Sequence, residues 1–265
     1  MTENKTITKI TPVEYPILES IKNRWSPREF ADTPITEENV NLLLEAGRWA
    51  PSTSNMQPWR VIWGIKGTEM FDRIYECLDD YNKQWAGNAQ VLWLNAFKKT
   101  MNDGKKEYFH ALHDLGLFMG NVIQQASSMG IAVHQMAGIR FKDALKEFGF
   151  PEDYHVATGV AFGYYGGEVN NLPEALRDQE MKEMRIRKTQ DQFAFNGNFQ
   201  NTNENMDNKK KHADFQDEYR KSSNFGKDRD EENLEVIGNG KLKVENPEND
   251  KNSKDTKSGK GDRKG

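Results

Sequence analysis

The segment that most narrows the possible folds is 107–129, where Leu112, Leu115, Phe118, Met119, Val122, Ile123 and Ala126 recur at helical spacing. A helix apolar around so much of its circumference has to be enclosed by other elements rather than laid on a surface. Gly130 ends it, because a glycine just past the last turn takes the left-handed conformation at no steric cost. The partners are visible on both sides. Segments 60–66, 90–97, 131–136 and 154–165 read as strands, and 90–97 is apolar enough for a strand covered on both faces. Helices are expected over 16–24, from Thr36 through Val40, Leu43, Leu44 and Gly47, after Gly67 through Leu78 with an end near 81–89, and over 141–149. Strands connected through helices point to a mixed sheet between helices, an α+β or three-layer arrangement.

Charge divides the chain. Residues 201–265 carry acidic and basic side chains in equal number and ten apolar residues, too few to offset an ordering cost of about 1–2 kcal/mol per residue. A disordered charged tail over 200–265 is therefore expected, with a flexible start over 1–15 and one domain over 16–199. The single cysteine, Cys77, excludes an internal disulfide. No apolar run reaches bilayer length and the first ten residues lack a leader core, so a cytoplasmic protein without a membrane partner is expected. A net charge of −4 speaks against nucleic acid as a partner.

Two polar stretches stand out. In the first, Ser52, Thr53, Ser54, Asn55 and Gln57 lie between Pro51 and Pro58, just before Trp59. The prolines fix φ at both ends and stiffen the loop, as a ligand-gripping segment requires; the same composition also suits a plain turn. In the second, Arg24, Ser26 and Arg28 alternate along a segment that Pro27 keeps extended. Two guanidiniums and a hydroxyl fit a phosphate or an electron-rich ring edge, but on these residues alone a surface salt-bridge cluster with Glu29 or Asp32 is the stronger reading. His110 and His113, with Asp114, have a metal-compatible spacing but read as helix-surface residues, and His134 and His155 as structural strand residues. Phe193, Phe195 and Phe199 alternate as in an extended arm that a partner would cover.

Taken in this order, the Arg-x-Ser-x-Arg string and the Pro-Ser-Thr-Ser-Asn-Met-Gln-Pro-Trp run resemble the FMN-dependent nitroreductase family, over roughly residues 16–199. The resemblance implies an α+β fold with a mixed, largely antiparallel central sheet sandwiched by helices, a C-terminal arm reaching the partner subunit, and a homodimer with FMN at the interface. It assigns Arg24, Trp25, Ser26 and Arg28 to FMN, Arg24 at the phosphate and Arg28 at the pyrimidine edge, where it stabilises the reduced flavin. Pro51, Ser52, Thr53 and Asn55 match a loop reaching the flavin held mainly by the other subunit. Asn82, in an Asn-x-x-Trp-Ala context, matches a ring-edge asparagine, and Gln135, Met136, Ala137 and Gly138 match a strand end whose backbone faces N5. Arg187, with Arg185 or Lys188 as alternatives, matches a late phosphate cation, although Thr189 and Gln190 stand where the family commonly has Pro-Leu. No catalytic side chain or metal ligand is implied. The implied activity is ping-pong hydride transfer from NADH or NADPH through FMN to a small-molecule acceptor such as a nitroaromatic or quinone. The alternatives are a flavin-remodelling or reductively dehalogenating enzyme on the same fold, or a non-enzymatic flavin-binding scaffold.

Overall fold

A computed structural model describes residues 7, 9–101 and 104–199. The tail expected over 200–265, and residues 1–6 and 8 of the expected flexible start, lie outside the described residues. Four strands, β1 (Trp59–Ile65), β2 (Val91–Lys98), β3 (Ile131–Met136) and β4 (Tyr154–Tyr164), form one sheet in the order β1-β2-β4-β3. Every junction in it is antiparallel, so the mixed character read from the sequence is confined to an isolated parallel bridge between Ile10 and Met184.

The period-2 alternation of β2 builds the layers. Leu92 and Leu94 enter one core with Phe71, Ile74, Leu78 and Trp85; Val91 and Trp93 enter the other with Val40, Leu43, Phe118 and Val122. The second core is closed by α2 (Glu37–Arg48) and α5 (Ala111–Ser128), the long helix that the sequence demands. α2 starts where Thr36 Oγ1 accepts the Asn39 N–H at 3.2 Å and Asn39 Oδ1 accepts the Thr36 N–H at 3.1 Å, a reciprocal cap. It crosses α5 at Gly47, where a Cβ would run into the Phe118 ring, itself stacked on Trp59 at 5.2 Å.

The first core is covered by α3 (Glu69–Glu76), α4 (Asp80–Ala86), α6 (Phe141–Glu147) and α7 (Glu174–Met181). Three expectations are corrected here. The helix expected to run through Leu78 stops at Glu76, because Asp79 Oδ1 accepts the Asn82 N–H at 2.8 Å and starts α4 instead. α1 spans only Glu19–Lys22 rather than 16–24: none of its residues is buried, so no packing extends it beyond one turn. The arm around Phe193 contains a 3-10 turn, Gln190–Gln192, in place of an extended run. α7 has no counterpart in the sequence reading. Among the described residues no helix is long and apolar enough to cross a membrane.

Because Gly47 lets two buried helices touch, Gly47→Ala should destabilise the fold by about 1–3 kcal/mol through overpacking, measurable as a lower midpoint in urea unfolding. A midpoint equal to the parent's would show that the α2–α5 contact yields to a methyl group.

Candidate active site

β3 is an edge strand, and the segment 24–28 is tied to it through His134. Three fasteners hold that segment. His134 Nδ1 donates to Pro27 O at 2.8 Å. The Trp25 N–H donates to the Tyr165 hydroxyl at 3.3 Å, and that hydroxyl lies 3.3 Å from Trp25 O, with the two rings 5.8 Å apart. The Arg28 N–H donates to Glu180 Oε1 at 2.8 Å. Within the segment Arg24 Nη1 donates to Ser26 Oγ at 3.2 Å.

Glu180, and not Glu29, is the acid beside Arg28: Glu180 Oε2 lies 3.5 Å from Arg28 Nη1. The buried Glu29 carboxylate accepts from Asn88 and Asn171 instead. Arg28 Nε is buried with no acceptor among the described residues. Arg24 is held below its ordinary pKa by burial and by Arg187, and Arg185 by burial and by both Arg24 and Arg187. Guanidiniums that depress one another gain most from an anion placed among them. Arg185 Nη1 already donates to Thr11 Oγ1 at 2.8 Å and to Lys22 O at 2.9 Å, clasping the N-terminal segment. Arg187 is exposed, which leaves it the more available of the two.

His134 packs on Trp85 with ring centroids 4.3 Å apart. Burial first, then Arg28 and Arg24, push its pKa down to about 3, so the imidazole is neutral. Since Pro27 O can only accept, the proton sits on Nδ1.

Two residues past the end of β3, Gly138 O accepts from Asn82 Nδ2 at 3.0 Å and from the Asp79 N–H at 3.1 Å. A Cβ at 138 would collide with both the Asp79 carboxylate and the Asn82 amide. Gln135 and Ala137 are exposed on this edge, while Met136 fills the core. Arg24, Trp25, Ser26, Arg28, Asn82, Arg187 and the 135–138 strand end therefore gather along the β3 edge of the sheet, the arginines beside its start and middle and Asn82 at its end.

The proline-bracketed loop does not. Ser54, Asn55 and Gln57 have φ of 51°, 55° and 48°, a left-handed run without glycine. Strain of that kind persists only where the surroundings over-determine it. Here Asp114, buried on α5, accepts the Thr53 N–H at 3.0 Å and is hydrogen-bonded by Tyr108, whose hydroxyl lies 3.1 Å from Thr53 O. Ser52 Oγ accepts the Gln57 N–H at 3.0 Å. Burial raises the Asp114 pKa, but Tyr108, the Thr53 N–H and His113 outweigh it and hold the carboxyl below its usual range. Asp114 is thus committed to the loop, and no three His, Cys, Asp or Glu among the described residues are arranged for a metal.

The register shows how far apart the two grips lie. Trp59, at the loop's end, pairs with Phe97, which pairs with His155 at the start of β4; Trp25 is fastened to Tyr165 past the end of β4. Along the strands that is ten residues, roughly 33 Å at about 3.3 Å each, for Trp25 and six, roughly 20 Å, for Pro27, which His134 holds at the level of Ala161; β1 and β3 are also the opposite edges of the sheet.

Sequence reading missed Glu180, Asp114, Tyr108 and Tyr165 in these roles, and gave His134 only a structural one. The neutral His134 makes a testable difference. Its folded pKa of about 3 lies below the ordinary histidine value, so through the intervening acid range the unfolded chain binds more protons and stability falls as pH drops. His134→Gln, whose amide can still donate to Pro27 O, should flatten that decline when urea unfolding is compared at about pH 4.5 and about pH 7.5. An equally steep decline would mean that His134 titrates normally.

A model of the nitroreductase family matches residues 21–78. A solved structure described as an oxidoreductase containing FMN is 31% identical, with a TM-score of 0.66 over 72% of this chain and 96% of that one. A Streptomyces coelicolor protein provisionally named an NADH dehydrogenase/NAD(P)H nitroreductase is 28% identical, over 52% of this chain and 77% of its own length. The 4-nitrobenzoate reductase of Pseudomonas putida is 24% identical, over 54% of this chain and 83% of its own length. Matching in sequence, topology and nearly the full length of a relative, the chain belongs to the nitroreductase family.

Proposed function

We propose that the chain is an NAD(P)H-dependent FMN oxidoreductase that works as a cytoplasmic homodimer, each flavin lying between one protomer's arginine segment and the other's proline-bracketed loop. The observation that carries this reading is that the two built polar grips stand at opposite edges of one sheet, the loop at β1 and the arginine segment at β3. No ligand of flavin size reaches both within a protomer, whereas a second copy packed antiparallel brings the loop of one onto the arginines of the other. Exposed surface suited to that packing is present: Leu112, Gly116 and Gly120 line the outward side of α5, with Trp49 and Phe109 exposed beside the loop. The segment around Phe193 and Phe199, both exposed, supplies further surface for the partner.

The residues fit FMN. The crowded cations Arg24 and Arg187 suit a phosphate, and the unspent Nε of Arg28 shows a guanidinium held in place with donor capacity left over. Gln135, on the edge strand β3, and Ala137, just past its end, are exposed and leave room for a flat ring. When bound, FMN supplies the redox chemistry, taking a hydride from NAD(P)H and passing it, with a proton from solvent, to an acceptor such as a nitroaromatic or quinone in ping-pong order. The chain's part is to hold and to bias. Arg24 and Arg187 anchor the phosphate end, and Ser26 orients Arg24. Arg28 places positive charge where negative charge develops, and does so without reorganisation because its backbone and side chain are pinned. Asn82 and Gly138 fix the strand end. Relatives named 4-nitrobenzoate reductase and NAD(P)H-using FMN reductase, the latter from Bacillus subtilis, point to the same chemistry.

The purified protein should bind one FMN per chain and lose its yellow colour on addition of NADH or NADPH. Arg28→Ala should weaken FMN binding about 10- to 100-fold, the loss of a charge-assisted hydrogen bond, read by flavin fluorescence titration. A protein that takes up no FMN contradicts the reading.

A further inference from the structure

α7 carries one charged side chain inward. Leu176 and Glu180 share its inner face, and the Glu180 side chain is 2% exposed. Burial raises its pKa, while the Arg28 N–H and the charges of Arg28 and Lys9 act against that rise. Lys9 Nζ donates to main-chain oxygens, those of Glu180 and, at 2.6 Å, Lys182, and so fastens the end of α7 that carries the acid. The carboxylate is used twice on one residue: Oε1 takes the Arg28 N–H and Oε2 faces the Arg28 guanidinium. Holding the backbone needs only the first of these. The second places a negative charge, shielded from water, beside the cation assigned to the flavin ring.

We propose that Glu180 is a positioning residue that acts through Arg28, balancing its charge and thereby setting how strongly the site favours the reduced over the oxidised cofactor. This rests on the FMN reading above. Reduction adds negative charge to the ring, which Arg28 attracts; a carboxylate 3.5 Å from the guanidinium, in an interior that screens poorly, offsets part of that attraction. The bound cofactor then stays a willing donor, where an unopposed arginine would hold the added electrons too firmly for the acceptor half of the cycle.

The test is the midpoint potential of the FMN-loaded full chain, by dye equilibration, together with the dissociation constant for oxidised FMN. Glu180→Gln keeps the shape and an oxygen for the Arg28 N–H but removes the charge. It should tighten binding of reduced relative to oxidised FMN about tenfold, equivalent to a rise of about 30 mV for a two-electron couple, with little change in affinity for oxidised FMN. Glu180→Asp, with its charge withdrawn by one methylene, should give a smaller rise, and decides the matter if Glu180→Gln does not fold. A merely structural role lowers FMN affinity and leaves the potential alone. An unmoved or lowered potential, in a parent protein that binds FMN normally, overturns this proposal only; a parent that binds no FMN overturns the cofactor reading and this proposal with it.

Discussion

The length of β4 is the constraint on which the rest depends. It runs through the middle of the sheet from Tyr154 to Tyr164, with the strained loop tied to the strand pairs at its start and the arginine segment tied to Tyr165 just past its end. A strand does not shorten, so the two polar grips stay apart in every conformation that keeps the sheet. On the proposed reading a site that uses both is assembled from two copies, which would give the exposed outer side of α5 a use.

At each end a buried carboxylate does the fixing. Asp114 accepts the Thr53 N–H and holds a loop with three non-glycine residues in left-handed geometry; Glu180 accepts the Arg28 N–H and faces its guanidinium. Burying a carboxylate costs several kcal/mol unless its oxygens are satisfied, and both acids are satisfied by the segments they position. Any change that releases the loop or the arginine therefore leaves a charge buried without its partners. The coupling runs both ways: each segment is rigid because the acid needs it.

The layers were legible because they follow from periodicity. The helical spacing through Leu115, Phe118, Val122 and Ala126 and the alternation of β2 each predict a buried face, and those faces met. Asp79 starting α4 was legible in principle, as a capping aspartate three residues before Asn82, but the apolar pattern around Leu78 masked it. α7 was not legible: Leu176 is the one large apolar residue it buries, and its other buried residue is an acid that periodicity counts as polar. Arg24, Ser26 and Arg28 were found by spacing, yet the acid beside Arg28 was sought among sequence neighbours and lies 152 positions away on another helix. Composition shows which side chains are able to bind an anion; it does not show which of them the fold has already neutralised.

Subunit mixing tests the shared site most directly. Arg28→Ala damages the arginine grip, and Thr53→Arg obstructs the loop grip with an exposed side chain while keeping the Thr53 N–H that Asp114 holds. Unfolded together and refolded as a mixture, the two variants should regain, in part of the sites, the parent's FMN affinity that neither has alone, because a mixed dimer contains one arginine segment and one loop that are both intact and face each other. A mixture that binds no more FMN than the sum of its parents, or a parent protein that is monomeric with FMN bound, would contradict a site built across two protomers.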